Sequence, residues 1–126
     1  MATEKKILLL DDDQIVIDVC REMFESLGYT AEFVRNGQEV LETFKTAQNE
    51  GIPFDLVIMD LTIPDGMGAE ETIKPLREID PDVKVVVSSG YCYATVMVDY
   101  KKFGFTGTIA KPYKLNELSE MLRAIF

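Results

Sequence analysis

At 126 residues the chain has the length of one domain and is too short for two. Hydrophobic residues make up 47% of it, enough for a full core, which excludes a disordered chain. A formal charge of −9 speaks against direct nucleic-acid binding and against anionic membrane surfaces, because both select Lys and Arg.

Apolar runs alternate along the chain with stretches of helical period, the pattern of repeated β–α units. Residues 1–6 lead straight into a short apolar run without the apolar core of a signal peptide, and no run reaches membrane-spanning length. A soluble, cytoplasmic chain is the expectation. Ile7-Leu8-Leu9-Leu10 reads as a strand covered on both faces. A helix follows over about 14–26, with Ile15, Val16, Val19, Met23 and Leu27 as its inward stripe and Gly28 suited to the position just past its end. Residues 29–34 alternate and read as a second strand near an edge. Asn36 can cap a helix running to about residue 49, with Val40, Leu41 and Phe44 inward.

Residues 54–59 form the third strand, which ends on Asp60. A Pro- and Gly-bearing loop leads to a helix over about 68–79, where Pro75 predicts a kink or a shifted boundary. The fourth strand spans 83–87, a helix of weak propensity about 94–103, the fifth strand 107–110 and the last helix 115–126. Five such units with right-handed crossovers predict an α/β, three-layer doubly wound sandwich. Its five-stranded parallel sheet has the flavodoxin-like order 2-1-3-4-5, and one domain covers 1–126.

The carboxyl ends of these strands carry the chemistry, because ligands of such sheets bind there. Strand one delivers Asp11-Asp12-Asp13, strand three Asp60, strand four Ser88-Ser89, and strand five Lys111-Pro112. Asp13 is best read as a helix N-cap. Converging carboxylates repel one another unless a cation compensates. The chain has no histidine, and Cys20 and Cys92 show no metal or disulfide spacing, so both read as small buried or half-buried residues. Oxygen ligands alone point to a hard cation, Mg²⁺ before others. Such a cation cancels the repulsion between a carboxylate and a phosphoryl donor, while a Lys ammonium and a Ser hydroxyl hold the remaining oxygens. Asp is an established covalent phosphoryl acceptor.

The chain resembles the receiver domains of two-component response regulators over essentially its whole length. The resemblance rests on the runs Ile7 to Asp13, Asp55 to Asp60, Pro64-Asp65-Gly66-Met67-Gly68, Val87-Ser88-Ser89-Gly90 and Lys111-Pro112. It implies Asp60 as the phosphorylated residue and Asp11, Asp12 and the Thr62 carbonyl as its companions at Mg²⁺. It further implies Ser88 as the hydroxyl that follows the phosphoryl group, Lys111 as its cationic partner and a cis Lys111-Pro112 bond. A sensor histidine kinase or phosphotransfer protein would be the donor, and output would pass to another protein, with no nucleic acid or membrane involved. The runs Leu61 to Gly68 and Ser88 to Tyr91 look closest to receivers of hybrid sensor kinases. Thr108 stands where the family has an aromatic switch residue, which places output elsewhere.

Two other functions fit the sequence less well. A haloacid dehalogenase-type phosphatase, suggested by Asp11-x-Asp13, would need a hydroxyl residue where Ile15 stands. A flavodoxin-like cofactor carrier would need a phosphate loop after strand one, where three carboxylates would repel a phosphate. The expected role is therefore that of a phosphoacceptor and not of a free-standing metabolic enzyme.

Overall fold

The computed structural model describes residues 5–64, 66–91 and 93–126, so the expectations for Asp65, for Cys92 and for residues 1–4 lie outside the described residues. The elements follow in strict alternation: β1 (Lys6–Leu10), α1 (Gln14–Leu27), β2 (Thr30–Val34), α2 (Gly37–Asn49), β3 (Leu56–Asp60), α3 (Ala69–Ile79), β4 (Lys84–Ser89), α4 (Thr95–Val98), β5 (Gly107–Ala110) and α5 (Leu115–Ile125). All strand pairs are parallel and the order is β2-β1-β3-β4-β5, as expected from the sequence.

Side chains alternate across a strand, so each apolar run feeds two cores. Leu8, Leu10, Val57, Met59, Val85 and Val87 pack with Val40 and Phe44 of α2 and Leu76 of α3. Ile7, Leu9, Leu56, Ile58 and Val86 pack on the other face with Cys20 and Phe24 of α1 and Leu118 and Leu122 of α5. Full burial of each Leu, Ile or Phe contributes about 1.5–3 kcal/mol, so these layers dominate the stability. Among the described residues no helix is long and apolar enough to cross a membrane.

Four local expectations need correction. On α1 the buried residues are Ile17, Cys20 and Phe24, with Val16, Met23 and Leu27 partly buried beside them. Ile15 and Val19 are 74% and 44% exposed, because the apolar arc of this helix is wider than the arc the sheet covers. Its ends match the expectation: Asp13 accepts from the Ile15 N–H at 2.9 Å, and Gly28 is left-handed at φ 83°. Helix α3 runs through Pro75 to Ile79, since proline's φ suits a helix and the buried Ala69, Thr72, Ile73 and Leu76 hold it on the sheet.

Helix α4 is only four residues long. Thr95, Val96 and Val98 are β-branched and no side chain caps the helix, so it gives way after Val98 to tight turns. There Lys102, Phe103 and Gly104 each bond the carbonyl three residues back. Strand β4, finally, continues through Ser88 and Ser89.

The start of α2 is fixed by a close approach. The Gly37 N–H bonds the Met67 carbonyl at 2.8 Å, and a Cβ added at Gly37 would lie 2.7 Å from the Met67 Cβ and 2.9 Å from its carbonyl oxygen. Gly90, by contrast, has open space around it. Gly37→Ala should therefore destabilise the fold by about 1–3 kcal/mol in urea unfolding, and Gly90→Ala should stay within about 0.5 kcal/mol of the parent. Equal midpoints for both variants would contradict the close packing.

Candidate functional site

The four expected strand ends meet. Asp11 continues the β1–β2 ladder through its N–H to the Val34 carbonyl, and its side chain is fully buried. Its Oδ1 accepts from the Asp13 N–H at 2.9 Å. Its Oδ2 lies 2.7 Å from Lys111 Nζ in an ion pair and has no further hydrogen-bond partner. Asp60, 6% exposed at the end of β3, accepts from the Thr62 N–H at 3.1 Å on Oδ1 and from Lys111 Nζ at 2.8 Å on Oδ2. Asp12 is exposed. One carboxylate oxygen from each of Asp11, Asp12 and Asp60 lies within 4.8 Å of the others.

The electrostatics are unbalanced. Burial raises the Asp60 carboxyl above its ordinary 3.8, although the bonds from Lys111 and the Thr62 N–H pull the other way. Burial by itself lowers the Lys111 ammonium, but its contacts with Asp11 and Asp60 outweigh that and hold it above 10.5. Lysine is thus firmly cationic, yet one ammonium faces three carboxylates. An all-oxygen donor set with a buried, unmatched Asp11 oxygen fits a hard divalent cation. Asp11, Asp12 and Asp60 are the side chains that could hold it. Thr62 lines the same pocket, about 250 Å³ in volume, together with Asp60, Ser89, Gly90, Tyr91 and Lys111.

Ser88 does not open into that pocket. It is fully buried, and its Oγ accepts from the Tyr113 hydroxyl at 2.6 Å. Because β4 continues past Val87, Ser88 shares the face of Val86 over α1 and α5, and Ser89 shares the face of Val85 and Val87. Ser89 lines the pocket; its Oγ accepts from the Tyr91 N–H at 2.9 Å, while its carbonyl takes the Lys111 N–H at 3.0 Å. Ser88 is the register partner of Asp60 on β3 and so shares its face, whereas Ser89 points to the other. Gly90 is not among the glycines with positive φ, so the chain there takes a backbone conformation open to any residue.

Tyr113 was not singled out by the sequence, although Lys-Pro-Tyr puts an aromatic hydroxyl two residues from the lysine. Burial pushes its phenol well above 10, so it stays a neutral hydrogen-bonding group. The Cys20 thiol beneath the site is pushed up to about 12 by burial and then by Asp11. The Lys111-Pro112 peptide is cis, as the resemblance implied. Beside it Pro112, Tyr113 and the exposed Ile15 and Val19 line an apolar groove of about 400 Å³ that adjoins Lys111.

A profile of the response regulator receiver domain matches residues 7–123. The chain is 28% identical over 122 residues to chemotaxis protein CheY of Thermotoga maritima, covering 96% of this chain and 97% of that protein. A CheY-like receiver domain from Methanospirillum hungatei superposes with a TM-score of 0.82 at 25% identity, covering 97% and 93% of the two chains. The receiver domain of the sensor histidine kinase PA1611 from Pseudomonas aeruginosa, solved with magnesium coordinated in its active-site cleft, also gives 0.82 at 21% identity, with 97% of both chains covered. The chain belongs to the response regulator receiver domain family, whose members are phosphorylation-dependent switches.

Proposed function

We propose that this chain, as one receiver domain over 1–126, takes a phosphoryl group on Asp60 from a phosphohistidine of a sensor kinase or phosphotransfer protein. The observation that carries the reading is the position of Asp60, a buried carboxylate held by Lys111 and the Thr62 N–H within reach of Asp11 and Asp12. A bound Mg²⁺, with Asp11, Asp12, Asp60 and the Thr62 carbonyl as its protein ligands, would neutralise the carboxylates and the incoming phosphoryl oxygens.

In the transfer an Asp60 oxygen attacks phosphorus and the P–N bond breaks. Its electron pair returns to the donor imidazole nitrogen, which takes up a proton. The Thr62 N–H fixes Oδ1 and so orients the nucleophile. Lys111, already between Asp11 and Asp60, can turn its charge to a phosphoryl oxygen. Ser88, the register partner of Asp60 on β4, would supply the hydroxyl, which can accept from Tyr113 and still donate its own proton to a phosphoryl oxygen. The apolar groove beside Lys111 suits an apolar face of the donor, whose imidazole must reach the adjoining pocket. Such a donor places the domain in the cytoplasm.

Output would leave through protein contacts at 88–103. Tyr91 and Tyr93 are exposed there and the four-residue α4 is weakly held. Thr108 lies within β5 and is too small to act as a rotating aromatic.

With Mg²⁺ and acetyl phosphate the intact mass should rise by one phosphoryl group, and Asp60→Asn should abolish the gain. Ser88→Ala should slow labelling by on the order of tenfold, less than loss of an oxyanion-hole donor, because Lys111 and the metal hold the other phosphoryl oxygens. Ser89→Ala should label like the parent; the reverse ranking of the serines would move the role to Ser89.

Folding raises the Asp60 pKa, so the folded state holds that proton more tightly than the unfolded chain. This contribution is complete below the ordinary value of 3.8 and is lost as pH rises through the folded value, which makes ionised Asp60 a burden at neutral pH. Without metal, Asp60→Asn should melt above the parent at pH 7, with the gap closing towards pH 4. Mg²⁺ should raise the parent's Tm by binding the folded state. A variant that melts lower at pH 7 would contradict the charge balance.

Amide exchange with a beryllofluoride mimic of the phosphoryl group should change over 88–103 and leave Thr108 steady. Changes confined to β5 would refute this output route.

A further inference from the structure

Asp12 differs from the other two acidic residues of the site in how it is held. Asp11 and Asp60 are buried, each with an oxygen tied to a backbone N–H, whereas the Asp12 side chain stands in solvent. Something else must keep its peptide in place, and the contact comes from across the sheet edge. The β1–β2 ladder ends with the Asp11 N–H on the Val34 carbonyl, and the next residue of that neighbouring chain segment is Arg35. Its guanidinium Nη1 donates to the Asp12 carbonyl at 3.0 Å, and Nη2 donates to Gln14 Oε1. One planar fork therefore spans the turn on both sides of Asp13.

Both ends of this brace are fixed. The Arg35 N–H is tied to Glu39 Oε1 at 3.1 Å, and Glu39 also closes the cap of α2 by donating its N–H to Asn36 Oδ1 at 3.0 Å. Gln14 in turn donates from Nε2 to Asp18 Oδ1 at 2.8 Å, one turn further along α1. The brace so runs from the start of α2 to the first turns of α1, with the Asp12 peptide at its centre. A lysine could supply the charge but not two parallel bonds.

We propose that Arg35 is a positioning residue for the metal site, setting the Asp12 carboxylate towards Asp11 and Asp60 by holding the Asp12 peptide. This rests on the reading of the acidic cluster as a Mg²⁺ site. Two effects of Arg35 oppose each other. A cation beside the cluster repels Mg²⁺, and a braced Asp12 attracts it. Exposed charges a few ångströms apart shift a binding constant only about fivefold in water, whereas losing an outer partner of a metal ligand weakens metal binding about 10- to 100-fold. The brace wins, so removing the charge should weaken binding.

The test is calorimetric titration of Mg²⁺ into the unphosphorylated full chain and its Arg35→Gln, Arg35→Lys and Gln14→Ala variants, with metal-free melting recorded for each. Arg35→Gln should bind Mg²⁺ about tenfold more weakly. Arg35→Lys should be nearly as weak although its charge is kept, and Gln14→Ala should fall between parent and Arg35→Gln. Metal-free Tm values should stay close to the parent, separating loss of position from loss of fold. Arg35→Gln binding as tightly as the parent, or more tightly, overturns the inference while leaving the metal site intact. So does a loss of affinity matched by a general drop in metal-free Tm across the three variants. A parent that takes up no Mg²⁺ overturns the metal reading itself and this inference with it.

Discussion

Lys111 reaches two buried carboxylates at once, Asp11 at 2.7 Å and Asp60 at 2.8 Å, and the arrangement of the site follows from that bridge. Taking one carboxylate out of water is expensive unless a partner compensates. Two such groups at neighbouring strand ends would separate or take up protons without an ammonium between them. The bridge is itself anchored, since the Lys111 N–H is held by the Ser89 carbonyl and the loop after it by the Tyr113–Ser88 hydrogen bond. Breaking any of these contacts leaves a buried polar group without its partner, the most damaging form of loss in a core.

The parallel sheet makes this convergence possible. Its apolar strands β1, β3 and β4 are zippered in register, so their ends cannot drift apart without exposing two cores. Charged groups too repulsive to gather on a loop are thereby forced together at a rigid edge. One ammonium cannot balance three carboxylates, and the residual negative charge suits a divalent cation. Folding energy from Leu and Ile burial is in this way converted into affinity for charge.

How far the sequence reveals all this depends on what each feature rests on. Strand order and the roster of acidic residues are legible because apolar runs and Asp at their ends are local signals. The α1 stripe is not, since Ile15 and Val19 continue the apolar arc and only the tilt of the helix on the sheet decides which flank is wet. The two serines of β4 look alike in sequence, and only the register of β4 against β3 puts Ser88 on the face of Asp60. Pro75 shows the opposite case, where a strong local signal yields to packing of α3 on the sheet. The Arg35 brace joins residues 23 apart and carries no local signature.

The Cys20 thiol, buried against α5 and the sheet, has its pKa pushed up to about 12. Oxidants and alkylating agents attack the thiolate, a form that burial disfavours here at neutral pH. A sulfur atom thus lies within the electrostatic reach of Asp11 without becoming a target for peroxide. At this residue the fold is shielded from the redox state of its surroundings.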